Sequence, residues 1–215
     1  PRHLGLLIRL DPAAQQRAPL CAFIGTDIDH PRSTDSGGRS VVEIANLKDH
    51  SHVGTITDEY VLTSSIDCLR DILGPMVEMY VKEHHFSIEP RGMTLLDAWV
   101  NLQQSGEYFS AHTHAGVFSF ALWITVPFTQ ADERAWREAR GKSGGESANF
   151  TFHYTDALGR ITPYCIPVDS SYERTCIVFP GEMMHSVTPY FSTDERRITV
   201  SGNIEYLDTP GADFR

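Results

Sequence analysis

Histidines 112 and 114, in the stretch AHTHAGVFSFALWITVP at 111–127, are the residues whose type and spacing first suggest chemistry. In an extended strand residues i and i+2 face the same way, so His112 and His114 project together while Thr113 points away. Two imidazoles on one face are half of a metal site. Ten histidines in 215 residues also place such a pair at His50 and His52, so spacing alone does not separate a ligand pair from coincidence. A third histidine, His185, follows the Pro180-Gly181 turn in CIVFPGEMMHSV. Taken by itself it would be a half-buried histidine bonded to a carbonyl. Jelly rolls bring remote strands side by side, however, and there His185 completes a face of three imidazoles. Iron(II) accepts such a face and keeps its other positions open.

Twelve residues beyond His185 begins RITVSGNI. Strand alternation puts Arg197, Thr199, Ser201 and Asn203 on one side and Arg196, Ile198, Val200 and Ile204 on the other. An arginine beside a hydroxyl on the inner face of a small barrel needs an anion, because an unpaired buried guanidinium is costly. A dicarboxylate answers that need: the planar fork of Arg197 matches a carboxylate and Thr199 adds a donor. The apolar residues beside Arg196 would by themselves put that side in a core, so Arg197 faces inward only if the strand is covered on both sides. Arg196 is expected at the surface, paired with Asp194 or Glu195.

The elements that must position these residues fall into two parts. Residues 58–85 show helical spacing at Ile66, Leu69, Ile72, Leu73, Met76, Val77 and Tyr80, and Gly74-Pro75 predicts two short helices or one bent helix. From residue 93 onward come short apolar runs bounded by Gly, Pro, Asp and Ser, which favour antiparallel strands in a sandwich or barrel. Residues 30–40 read as an exposed loop, and 130–147 as a short helix or loop excursion that could close over a pocket. The expected organisation is a 1–92 flanking region with helices packed on the outside of a 93–215 core, one structural domain overall.

Composition narrows the function classes. The apolar share is 41% and the charged share 21%, and 18 Lys and Arg against 28 Asp and Glu give a net charge of −10. With no basic run, nucleic acid is not an expected partner. No stretch reaches the roughly 20 apolar residues of a membrane span, and the expectation is a cytoplasmic protein, in the host cytoplasm if phage-borne. Cys21, Cys68, Cys165 and Cys176 form no CxxC pair, so free thiols are expected rather than a zinc knuckle or a disulfide framework.

The stretches WVNLQQSGEYFSAHTHAG, FALWITVP, ANFTF and IVFPGEMMHSVTPYFSTDERRITVSGNI, in this order across 95–206, together resemble the iron(II)/2-oxoglutarate-dependent oxygenase superfamily. Within it they are most similar to small bacterial and phage-borne prolyl-hydroxylase-like members. The resemblance implies a mainly β fold with flanking helices, a double-stranded β-helix (jelly roll, cupin-like). It implies iron(II), 2-oxoglutarate as cosubstrate and O2, and hydroxylation of an unactivated C–H bond in a peptide or protein side chain such as proline. Under it, His112 and His185 are two metal ligands, and Arg197 with Thr199 holds the distal carboxylate of 2-oxoglutarate. Tyr108 lines the cosubstrate pocket, while Asn101 and Trp123 are further pocket candidates that a plain core role also explains. Trp123, Phe150 and Phe152 would wall the site.

One position departs from the pattern. The superfamily usually has HxD, and this chain has His114 where the aspartate ligand stands. Three arrangements follow: His114 coordinates, His114 turns away and chloride or water takes its place, or iron is not held. Coordination is favoured, as some members of this small subgroup carry HxH. Two rival readings remain at this level. PGEMMH also fits a cupin-type metal dioxygenase that does not use 2-oxoglutarate, although Gly116, Val117, Phe118 and Ser119 stand where cupins place a glutamate. The other rival is a non-enzymatic jelly-roll binding or structural module. Neither the prime substrate nor the oligomeric state is fixed by the sequence.

Overall fold

A computed structural model describes residues 6–9, 54–62, 66–84, 91–142 and 146–210. The strands are β1 (Leu6–Arg9), β2 (Glu59–Val61), β3 (Arg91–Gln103), β4 (Phe109–His112), β5 (Phe118–Thr125), β6 (Asn149–Thr155), β7 (Ile161–Pro167), β8 (Thr175–Pro180), β9 (His185–Val187) and β10 (Arg197–Pro210). Two helices, α1 (Ile66–Glu83) and α2 (Gln130–Glu138), accompany them. A larger sheet has the order β1-β8-β5-β10-β3-β2 and a smaller one β4-β9-β6-β7. All the pairings are antiparallel. Two such sheets face to face are the jelly roll expected from the strand pattern.

Both faces of the larger sheet are covered. On its outer side α1 presents Leu69, Leu73, Met76, Val77 and Tyr80, spaced three and four apart as an amphipathic helix requires, to Val100, Leu102, Leu122, Val178, Ile198, Val200 and Ile204. Each of these buried aliphatic side chains contributes about 1.5–3 kcal/mol. On the inner side Trp123, Ile177 and Phe179 meet Phe150 and Phe152 of the smaller sheet in a second core. Double coverage explains why β5 is buried at every position except its last, Thr125, and why all its residues but Ser119 and Thr125 are apolar.

At the front of the chain one alternative falls and the sheets gain two strands. Of the two alternatives for Gly74-Pro75, two separate helices fall, because α1 is one helix that runs continuously through Pro75. The proline lies on the exposed side, and the carbonyl it leaves without an amide partner belongs to Asp71, also exposed, so water can take the lost bond. Besides packing α1 on the core, the residues before 92 add strands to it. β1 pairs with β8 and β2 with β3, so both become edge strands of the larger sheet. Gly54 bridges to Phe109 of the smaller sheet, and the Thr55 amide donates to the Tyr108 carbonyl at 3.0 Å. The segment 54–61 thus ties one sheet to the other. The 30–40 loop, His50, His52 and Cys21 lie outside the described residues. Cys165 and Cys176 are free thiols, and Cys176 is buried. Among the described residues no helix is long and apolar enough to cross a membrane.

Candidate active site

The two sheets enclose a cavity of about 630 Å³ in which the histidines and Arg197 meet. His112 ends β4 and His185 begins β9, and the two are directly paired across the smaller sheet. His114 lies two residues past the end of β4. One ligand atom from each of the three lies within 4.8 Å of the others, with ring centroids 4.4 Å (His112 to His185), 4.9 Å (His112 to His114) and 5.0 Å (His114 to His185) apart.

Backbone contacts set this convergence. The His114 amide donates to the Gly181 carbonyl at 2.9 Å and the Gly181 amide to the Val117 carbonyl at 3.0 Å, which laces the HxH loop to the turn before His185. A side chain at Gly181 would lie 2.5 Å from the Gly116 carbonyl oxygen, and Gly116 adopts φ +89°, so both positions need glycine. Ring orientation is fixed as well. His112 Nδ1 bonds the Ser110 carbonyl at 2.7 Å and His185 Nδ1 the Met183 carbonyl at 2.9 Å. Since a carbonyl only accepts, each Nδ1 carries the proton and each Nε2 keeps its lone pair for a ligand bond. Burial keeps the rings neutral: it lowers His185 to about 3 and His114 to about 4, each helped by the charge of neighbouring histidines, and lowers His112 as well.

Further along β10, Arg197 is 2% exposed. Its guanidinium donates to the Gln103 side-chain oxygen, from its cross-strand partner on β3, and lies 5.8 Å from the centre of the Tyr190 ring. Burial lowers its pKa to about 10, which still leaves it charged at neutral pH. Among the described residues no carboxylate lies within ion-pair distance of it. Arg196 points outward and pairs with Asp58 at 3.1 Å, on β2's approach rather than with Asp194 or Glu195. Thr199, Ser201 and Asn203 share the cavity with Arg197, whereas Ile198, Val200 and Ile204 pack under α1.

Asn101 and Trp123 also line the cavity, and both are cross-strand neighbours of Thr199. Tyr108 does not. It is 40% exposed, and its neighbour Phe109 lines the cavity instead. The cause is a register shift between Phe109 and His112, where three steps on β4 match two on β9. Such a bulge puts Phe109 and His112 on one face, which strict alternation forbids. Phe150 lines the cavity and stacks on His185 at 5.3 Å, while Phe152 packs behind it. The described residues of the 130–147 excursion, 130–142 and 146–147, do not line the cavity. Instead buried Glu133 of α2 accepts from the amides of Phe191 and Ser192 at 2.8 and 2.7 Å, and Trp136 stacks on Phe191 at 4.8 Å. The helix braces the loop that leads to Arg197.

Sequence reasoning missed Glu59, Asp97, Trp99 and Gln103, all in the lining. For Asp97, Trp99 and Gln103 the signal was available, since they alternate with Asn101 along β3. For Glu59 it was not, because a three-residue edge strand carries no readable period.

A family model described as "Putative 2OG-Fe(II) oxygenase" matches residues 97–203, which span the histidines, Arg197 and Thr199. No curated protein sequence matches the chain. Solved structures with a similar fold include a Pseudomonas putida prolyl-4-hydroxylase, with TM-score 0.54 and 11% identity over 95% of this chain and 92% of that one. Another is a Burkholderia pseudomallei oxidoreductase of the 2OG-Fe(II) oxygenase family, with TM-score 0.52 and 15% identity over 97% and 88%. A third, the non-heme alpha ketoglutarate dependent epimerase SnoN from nogalamycin biosynthesis, has TM-score 0.57 and 15% identity over 96% and 79%.

Proposed function

Because the chain belongs to the iron(II)/2-oxoglutarate-dependent oxygenases, enzymes that use iron(II), 2-oxoglutarate and O2, we propose that His112, His114 and His185 hold the iron and that Arg197 and Thr199 hold the far carboxylate of 2-oxoglutarate. The observation that carries this reading is a buried guanidinium, without a carboxylate partner among the described residues, in the same cavity as three converging imidazoles. The donor set fits the metal, since three neutral nitrogens on one face suit iron(II) and leave its other positions open. A dianion with one carboxylate toward that face and the other toward Arg197 fits the charge pattern.

Bound iron supplies the coupling of 2-oxoglutarate decarboxylation to hydroxylation of a C–H bond. The chain does the rest. The Ser110 and Met183 carbonyls hold the His112 and His185 rings in the tautomer that coordinates. Gln103 and Tyr190 fix the Arg197 fork, so the cosubstrate meets a positioned partner and pays little ordering entropy. Phe120, Trp123, Phe150 and Phe179 exclude water from the space between the two anchors. His114 acts as a ligand in this reading, because its ring stands as close to the other two as they require; the lost carboxylate makes the centre one charge more positive. The substrate is a peptide or protein side chain, proline among the candidates, hydroxylated at an unactivated carbon. A cupin reading that omits 2-oxoglutarate leaves Arg197 buried with nothing to bind.

The test is loading with iron(II) under nitrogen, followed by calorimetric titration with 2-oxoglutarate. One iron per chain and cosubstrate binding that needs Arg197 support the assignment; iron bound equally well after His112→Ala and His185→Ala overturns it.

A further inference from the structure

Arg197 is held by an amide where a carboxylate is the ordinary partner. A guanidinium taken out of water is usually paired with an acid. The residue directly opposite Arg197 in the sheet is Gln103, the neutral isostere of glutamate, and it is buried as well. Its two partners fix which way round its amide sits. The oxygen accepts from Arg197, and the nitrogen donates to the Glu107 carbonyl at 2.5 Å. A guanidinium only donates and a carbonyl only accepts, so the amide has one workable orientation.

The chain around Gln103 is shaped to supply that carbonyl. Past the end of β3 a turn doubles back through Gly106, at φ +85°, whose amide donates to the Tyr190 carbonyl at 2.9 Å. The acids near this end are occupied elsewhere. One oxygen of Glu107 accepts from the amide and hydroxyl of Thr57 at 3.2 and 3.0 Å, and the other from the Gln104 amide at 2.7 Å. Glu133 acts on Arg197 through its charge, but it accepts from the Phe191 and Ser192 amides and forms no ion pair with the guanidinium. Among the described residues Gln103 is thus the one side chain hydrogen-bonded to that guanidinium, which leaves further N–H donors for a ligand.

We infer that Gln103 is a positioning residue that sets the charge of the cosubstrate: it orients Arg197 without neutralising it, so this end of the cavity selects a 2-oxo acid whose tail ends in a carboxylate. This rests on the preceding assignment of Arg197 to the far carboxylate of 2-oxoglutarate. A glutamate at 103 would still reach the guanidinium but bring its own charge, and the ligand carboxylate would then enter a water-poor site beside a like charge. A methionine there would leave the arginine unpaired but no longer held. The two substitutions separate charge from orientation.

The experiment is calorimetry under nitrogen on the iron(II)-loaded protein with 2-oxoglutarate and with 2-oxopentanoate, which has the same oxo acid head and no distal carboxylate. Wild type, Gln103→Glu and Gln103→Met are compared, and iron content after gel filtration reports that each variant keeps its histidine face. Wild type is expected to favour 2-oxoglutarate by about a hundred-fold. Gln103→Glu should lose most of that preference, by weakening 2-oxoglutarate while 2-oxopentanoate stays within about three-fold. Gln103→Met should bind 2-oxoglutarate about ten-fold more weakly than wild type and still prefer it. A Gln103→Glu variant that keeps the wild-type preference, or that loses both oxo acids alike, overturns the inference, and so does unchanged 2-oxoglutarate affinity in Gln103→Met. Failure of the wild-type protein to bind 2-oxoglutarate would instead strike the preceding assignment.

Discussion

The histidine face and Arg197 sit in one cavity but are held by different means. The histidines come from the smaller sheet and its loops, and short-range backbone bonds place them: Ser110 to His112, Met183 to His185, Gly181 to His114. Arg197 comes from a central strand of the larger sheet, and side chains from distant parts of the chain hold it: Gln103, Tyr190 and, through the 191–192 loop, Glu133. A metal face tolerates only a change of donor, because three ring nitrogens must converge. The arginine end holds a buried charge with no carboxylate within ion-pair distance among the described residues, and on the proposed reading the cosubstrate anion balances it. The first is a geometric device and the second an electrostatic one, and variants should separate them.

The largest effect should come at the histidine face. Replacing His185 with alanine removes one of three ligands and should abolish stoichiometric iron binding and turnover, checked by metal content after gel filtration. At the other end, Arg197→Ala should weaken 2-oxoglutarate binding by about 2–5 kcal/mol while iron still binds, and Arg196→Ala, which breaks only a half-exposed pair with Asp58, should change it by less than about 1 kcal/mol. Calorimetry on the two variants reads the contrast, and equal losses would contradict the inward placement of Arg197. The brace gives a smaller effect. Glu133→Ala leaves two amides without their charged acceptor and should cost about 2–3 kcal/mol of stability, measured by denaturant unfolding, with a lesser loss of 2-oxoglutarate affinity. Smallest of all, His114→Asp keeps a ligand at the position and should retain iron binding within about ten-fold; complete loss of iron would mean that the position demands imidazole.

The sheet core was legible because its periods are strong. Alternation along RITVSGNI placed Arg197 and Thr199 inside and Arg196 outside, and α1 supplied the second cover that this arrangement requires. Alternation also paired His112 with His114, whereas His185 was brought to them by the jelly-roll topology and not by any period of its own. Tyr108 was a pocket residue by resemblance alone; the bulge turns Phe109 to the cavity in its place, and nothing in EYFSAH marks where the extra residue sits. Gly74-Pro75 left one helix or two open in the sequence, and the single helix holds because a proline on the wet side of a helix costs less than one in its buried face. The excursion at 130–147 looked free in sequence because the residue that anchors it, Glu133, is charged, and its burial depends on backbone amides sixty residues away in the fold's own loop rather than on any local pattern.

The central claim is that this cavity couples iron held by histidines to 2-oxoglutarate held by Arg197. The most direct measurement is succinate formed against 2-oxoglutarate consumed under air by the iron-loaded protein. The account predicts one succinate per 2-oxoglutarate, none after chelation of the metal, and none from His185→Ala. Protein that holds one iron per chain at these histidines yet leaves 2-oxoglutarate unconsumed would contradict it.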